Sequence, residues 1–209
     1  MGMKMSKRSF PATTGTPPKD YFLHVDTGSE ILWVNCVNCF PFCAINTDID
    51  DLTLKMYDPK NSSTADLVPC SGGFCTDNYK SPIPGCSSGD VFGYGLKYGD
   101  GSGSDGYFVN DVIGYDQVSG NLGIQVLYLG SCATQQTGNL ASSTGALDGL
   151  IGFGASDESM LSQLASSGKV KKKFAHCLDG KNGGGIFAMG DVVQPTPKST
   201  PLVPNAYAF

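Results

Sequence analysis

Apolar positions come in short runs, cut by glycine, proline and small polar residues, and most runs show no helical spacing. Strands are predicted over Tyr21–Val25, Ile31–Val34, Phe92–Tyr98, Tyr107–Ile113, Ile124–Leu129 and Gly185–Met189. "SMLSQLASSGKV" differs: Met160, Leu161 and Leu164 recur at helical spacing, Ser159 can cap the start, and Gly168 stands where a C′ glycine belongs. One helix is predicted there. "YGDGSGSDGYF", Tyr98 to Phe108, sets two strand-like runs around a Gly/Ser/Asp turn, the composition of a β-hairpin. In "ALDGLIGFG", Leu150 and Ile151 precede Gly152, where a missing side chain would let another backbone pass close. Between Cys36 and Cys86 the chain is irregular, polar and cysteine-rich, as in a stapled insertion carried by a β scaffold. The fold class expected is mainly β, with one or two short helices.

The chain has 209 residues, enough to bury a substantial core, and its 28 glycines and 12 prolines are scattered, as many short strands joined by tight turns require. Net charge is −5, which disfavours nucleic acid as a partner. The one cationic run, "KVKKK" from Lys169 to Lys173, is ordinary for a solvated helix end. No stretch reaches the ~18 consecutive apolar residues of a membrane span. The N-terminal "MGMKMSKRSF" has basic residues without an apolar stretch after them, unlike a signal peptide.

Eight cysteines change the picture. Six of them, Cys36, Cys39, Cys43, Cys70, Cys75 and Cys86, crowd into about fifty residues and are the disulfide candidates; Cys132 and Cys177 follow. That density points to an oxidising compartment. Cys36-x2-Cys39-x3-Cys43 could instead hold a metal or an iron–sulfur cluster, but zinc would want a second spaced pair or nearby histidines, and the histidines are His24 and His176 alone. Disulfides are the expectation, with no metal site.

One carboxylate stands out. Asp26 ends an apolar strand and is followed by Thr27, Gly28 and Ser29, a glycine for a sharp turn and two hydroxyls within reach of a carboxylate. An acid in such a place is costly unless hydrogen-bonded or put to use. Trp33 follows on the next apolar run.

Six ordered motifs carry a resemblance: "VDTGSEILWVNC", "YDPKNSST", "YGDGS", "LDGLIGFG", "SMLSQL" and "FAHCL". Together they resemble the N-terminal lobe of pepsin-like aspartic proteases, above all the plant nepenthesin-like group with a cysteine-rich insertion. The likeness implies a single lobe of the pepsin-like β-barrel fold over 15–204, with the insertion at 36–86, an atypical segment at 1–14, and a tail at 205–209 where a C-terminal lobe would begin.

What the resemblance implies for residues is specific. Asp26 matches the catalytic aspartate, Thr27 and Gly28 complete its loop, and Ser29 would hydrogen-bond it from outside the reacting pair. Tyr98 matches the flap tyrosine over a polypeptide substrate, Trp33 its hydrogen-bond partner, and Gly99, Asp100 and Gly101 the flap tip. The family hydrolyses peptide bonds with two carboxyl groups that hold a water and share one proton, without any cofactor. That mechanism needs a second Asp-Thr-Gly or Asp-Ser-Gly. The sequence contains none, so a missing C-terminal lobe is the expected partner and little activity is expected of this chain alone. The family is secreted, vacuolar or in the cell wall.

Departures from the family pattern matter too. "RSFPATTGTPPK" replaces the usual first strand. Phe92 stands where relatives carry a cysteine, so one insertion disulfide would lack its partner. Cys132 sits in "LYLGSCATQQ" as though a residue had been added, and Cys132 or Cys177 could pair outside the chain. Other signals are minor. "GSGSDG" fits a dinucleotide loop by spelling, but no helix opens after it. "DGSGSD" is similar to a calcium loop but lacks the glycine and glutamate such a loop needs. His24 could tune Asp26, though a structural or semi-exposed role is the ordinary one. Asn61-Ser62-Ser63 is a glycosylation sequon. Besides an endopeptidase, a catalytically inactive protease-like binding or inhibitor protein and an unrelated disulfide-rich structural domain fit parts of this pattern. Pairing of two copies of the lobe, to bring two Asp26 residues together, is disfavoured for a lobe shaped to meet a different partner.

Overall fold

The structure is a computed structural model that describes residues 2–5, 10–46, 53–78, 86–87, 89–116, 122–142, 147–179, 181–182 and 184–191. Among the described residues, eleven strands and two α-helices follow in chain order: β1 Gly2–Met5, β2 Phe10–Thr14, β3 Lys19–Asp26, β4 Leu32–Asn35, β5 Asp66–Leu67, α1 Gly73–Asn78, β6 Gly93–Lys97, β7 Gly103–Asp116, β8 Leu122–Thr137, β9 Gly149–Gly152, α2 Met160–Ser166, β10 Phe174–Leu178 and β11 Gly185–Met189. The expected mainly-β architecture is what forms.

Strands β2-β3-β9-β4-β8-β7 pair in that order, and β2 also pairs with β7, so these six strands return on themselves as a closed barrel, with β5 and β6 joined to it through β7. A separate antiparallel sheet runs β1-β11-β10. The segment expected to be atypical, 1–14, therefore holds β1 and β2; Phe10–Thr14 pairs with β3 from Phe10↔Leu23 to Thr14↔Lys19. The first strand is re-spelled, not lost.

Alternation along β4 divides the interior. Leu32 and Val34 face one apolar cluster with Phe10, Leu23, Ile151 and Phe187, while Trp33 and the preceding Ile31 face another with Phe92, Phe108 and Leu150. Helix α2 covers the first cluster with Met160, Leu161 and Leu164. Its ends are as expected: Ser159 Oγ accepts the Ser162 N–H at 3.3 Å. Gly168 takes φ +70°, and the Gly168 and Lys169 N–H groups bond the carbonyls of Ala165 and Leu164, a Schellman stop. The lysine run lies beyond that stop, where Lys171 and Lys173 both pair with Asp191 at the surface.

Strand β8 runs to Thr137, well past the predicted Leu129. Two register shifts against β7 absorb extra residues; at one, Tyr107 faces Cys132 and Val109 faces Leu129, with Gly130 and Ser131 opposite Phe108 alone. The added residue suspected near Cys132 is taken up in this bulge.

Disulfides join Cys36–Cys132, Cys39–Cys43 and Cys70–Cys86. Two expectations need correction. Cys132 has its partner inside the chain, because β4 and β8 run parallel side by side and the residue after β4 bonds back to Ala133. Cys75, a disulfide candidate, is a free thiol, buried in the cluster that also holds Phe92. Cys70 and Cys86, which join the same cluster, are bonded to each other and leave Cys75 over; Cys177, the other free thiol, is exposed on β10. With Cys36 and Cys132 tied together and Cys39 and Cys43 paired, the three closely spaced cysteines are not a metal cluster.

Two buried carboxylates hold the barrel to the insertion. Asp111 on β7 accepts the Tyr57 hydroxyl at 2.5 Å and the Thr64 hydroxyl at 2.6 Å. Asp148 accepts the N–H of Phe22 at 2.9 Å and of Lys55 at 2.8 Å. Burial pushes the Asp148 carboxyl above the usual carboxylate range, against those two N–H bonds and the Lys55 charge. A carboxyl with a raised folded pKa favours the fold fully below its unfolded value, about 4, and loses that contribution as pH rises through the folded value. Asp148→Asn is accordingly expected to flatten the fall in urea midpoint between pH 4 and 7. It also costs about 1–3 kcal/mol at every pH, since an amide NH2 meets a backbone donor. An unchanged pH slope would contradict this.

Candidate active site

Asp26 is the last residue of β3, and β9 lies between β3 and β4, the two strands that flank its loop. β9 runs parallel to β3, Asp26 opposite Gly152, and antiparallel to β4. At its end three backbone bonds pin the loop from behind: Gly152 N–H to Ile31 O at 3.0 Å, Phe153 N–H to Asp26 O at 2.8 Å and Gly154 N–H to Ser29 O at 2.9 Å. The approach is so close that a Cβ on Gly152 would lie 2.5 Å from the Glu30 carbonyl carbon. Glycine is required there, as the pattern Leu150-Ile151-Gly152 implied.

The carboxylate emerges half-buried, with Oδ1 accepting the Gly28 N–H at 2.8 Å; Thr27 and Gly28 are exposed beside it. Ser29 turns inward instead. Its hydroxyl is buried and lies by the Tyr98 hydroxyl, and among the described residues it makes no bond to Asp26, unlike the one that the resemblance implied.

Strands β6 and β7 form a hairpin, Lys97 opposite Gly103, whose turn carries Tyr98, Gly99, Asp100 and Gly101. Gly101 adopts φ +85°, which a glycine accepts freely. The turn is braced from within: Tyr98 N–H reaches Ser102 O at 2.8 Å, and Asp100 Oδ1 accepts the Ser102 hydroxyl at 2.6 Å and its N–H at 2.9 Å. These Ser102 bonds hold the exposed Asp100 carboxyl below the usual range. Tyr98 leans back over the barrel, where its hydroxyl accepts the Trp33 indole N–H at 2.7 Å. Burial raises the Tyr98 phenol to about 12, the Trp33 bond opposes that, and the charge of Asp26 adds to it. Tyr98 thus senses the Asp26 carboxylate from the hairpin side, while His24 is exposed on β3.

Trp33→Phe removes the indole donor, worth about 1 kcal/mol. Amide hydrogen exchange over the 98–102 turn is then expected to quicken about fivefold, with exchange in α2 unchanged; equal rates in both proteins would show that the bond does not hold the hairpin.

The sequence patterns passed over Glu30. Its carboxylate occupies the space a side chain at Gly154 would need and accepts the Ser156 N–H at 2.9 Å, tying the Asp26 loop to the turn after β9. The signal was a glycine two residues past Gly152, in "GFG". Asp148 was visible only as an acid beside an apolar run.

A loop held from behind by three bonds, bearing one carboxylate under a tyrosine-tipped hairpin, is matched by a family model. The model described as "Xylanase inhibitor N-terminal" covers residues 10–191. The chain belongs to the pepsin-like aspartic protease family. It is 47% identical over 194 residues to Aspartic proteinase 36 of Arabidopsis thaliana, covering 91% of this chain and 39% of the relative. Aspartic proteinase 39 of the same plant is 44% identical over 200 residues, 91% of this chain and 40% of that one. The chain therefore spans about two-fifths of the length of these relatives. Among solved structures, the crystal structure of basic 7S globulin from soybean shares the fold, with a TM-score of 0.63 and 22% identity over 91% of this chain and 50% of that one. No helix among the described residues is long and apolar enough to cross a membrane.

Proposed function

We propose that this pepsin-like lobe, residues 15–204 with its insertion at 36–86, is the N-terminal half of an aspartic endopeptidase, and that residues 205–209 lead toward a second lobe. The supporting observation is the Asp26 carboxylate, held by Gly28 in a loop backed by β9 and faced by Tyr98 on its Trp33 anchor. Hydrolysis of a peptide bond needs a base to take a proton from water and an acid for the carbonyl oxygen. Two adjacent carboxyls supply both, because like charges that close cannot both ionise and one keeps a proton. Asp26 is the first of them. Thr27 and Gly28 shape its loop, and Tyr98 with Gly99, Asp100 and Gly101 closes over the polypeptide. The second carboxyl comes from another Asp-Thr-Gly or Asp-Ser-Gly, of which the 209 residues hold none beyond Asp26.

A second reading is favoured by the words of the family model, an inhibitor N-terminal region. In it the lobe belongs to a non-catalytic protein that binds other proteins. The experiment joins this chain to a C-terminal lobe that carries the second aspartate loop, taken from an Arabidopsis relative, and measures cleavage of a denatured protein at acid pH. Pepstatin-sensitive cleavage supports the endopeptidase. A folded two-lobed protein that cleaves nothing and inhibits a xylanase would establish the binding reading instead.

A further inference from the structure

The sequence holds one Asn-x-Ser/Thr sequon among its ten asparagines, and the catalytic reading makes no use of it. Asn61 closes a short 3-10 turn, Pro59–Asn61, on the surface. Its amide Nδ2 donates one N–H to Asp58 Oδ2 at 2.6 Å, and the side chain is otherwise exposed. The other two residues of the sequon, Ser62 half-buried and Ser63 exposed, are tied to Thr16. Ser62 Oγ accepts the Thr16 N–H at 2.9 Å, and Ser63 bonds the Thr16 carbonyl through its N–H at 2.9 Å and its hydroxyl at 3.3 Å. Three disulfides among the described residues place the chain's folding in an oxidising compartment, where N-glycosylation also occurs.

We infer that Asn61 is an N-glycosylation site, taking an oligosaccharide from a lipid-linked oligosaccharide diphosphate by the action of an oligosaccharyltransferase. Nδ2 forms a bond to the anomeric carbon of the first sugar, the bond from that carbon to the diphosphate oxygen breaks, and the lipid diphosphate leaves. The displaced Nδ2 proton passes to a base of the transferase. One amide N–H remains, which is the number Asp58 engages, so the fold accepts the linkage without losing that bond. The glycan then projects into solvent, away from the Thr16 turn that Ser62 and Ser63 hold. Because both serines are docked once the chain is folded, transfer precedes closure of this turn.

The test expresses the full chain behind a cleavable export leader in plant cells and scores only leader-cleaved molecules. Treatment with peptide N-glycosidase is expected to produce a single downward mobility shift and to convert Asn61 to Asp in the tryptic peptide. Asn61→Gln and Ser63→Ala should each abolish the shift; Ser63→Ala keeps the backbone N–H bond to Thr16, which separates loss of the sequon from loss of the turn. Leader-cleaved wild-type chain with unmodified Asn61, or a shift that persists in both variants, would overturn the inference.

Discussion

Asp26→Asn, in the two-lobed protein, is expected to lower kcat/KM for a peptide substrate about 10³-fold, the scale of a lost general acid–base group. Geometry should survive the change. The Gly28 N–H that Oδ1 now accepts at 2.8 Å can be accepted by an amide oxygen, and the loop is held by the backbone bonds of Gly152, Phe153 and Gly154, which do not involve the side chain. The loss should therefore fall on kcat with little change in melting temperature. A variant with more than a tenth of wild-type kcat/KM would mean that Asp26 does not take part in the reaction.

Removing the Cys36–Cys132 disulfide, as Cys36→Ser/Cys132→Ser, is expected to cost about 5 kcal/mol. The bridge spans 96 residues, and closing so long a loop restricts the unfolded chain strongly. It also joins β4 to β8 on one side of the barrel, and both sulfurs are fully buried. A cost of that size is comparable with the whole stability of a domain, so the variant should be largely unfolded near 40 °C. The Cys39–Cys43 and Cys70–Cys86 bridges close shorter loops, 4 and 16 residues apart, and their removal should cost less. Urea unfolding of the three double variants under non-reducing conditions checks the ranking. Equal midpoints for the 36–132 variant and wild type would contradict it.

Local signals in the sequence were reliable where local physics decides the outcome. The cap at Ser159 and the stop at Gly168 act within one turn of α2, and β3, β4 and β11 carry compact apolar runs bounded by turns. Elements made by pairing were harder to see. Strand β2 contains Pro11 and two threonines, yet alternate burial of Phe10, Ala12 and Thr14 between β3 and β7 makes it a barrel strand. The polar half of β8, "GSCATQQT", is extended because β7 supplies the ladder across two bulges. Strand β10, "FAHCL", is mostly exposed and owes its form to β11.

At the site, Asp26, Gly28, Tyr98 and Trp33 were legible as residue types at family distances, and the structure brings them to one end of the barrel. Ser29 was not, since its place by the Tyr98 hydroxyl depends on a hairpin distant in sequence. Disulfide pairing could not be read from spacing for the same reason. Cys132 meets Cys36 through strand order, and Cys75 is left over because Cys70 pairs with Cys86.

The central claim is that one carboxylate on this scaffold is half of a catalytic pair. The most direct measurement is acid-pH cleavage of a denatured protein by the 209-residue chain alone, wild type against Asp26→Asn, each with and without pepstatin. The prediction is no turnover that depends on Asp26 and no effect of pepstatin. Robust, pepstatin-sensitive turnover by the wild-type chain that disappears in Asp26→Asn would contradict it.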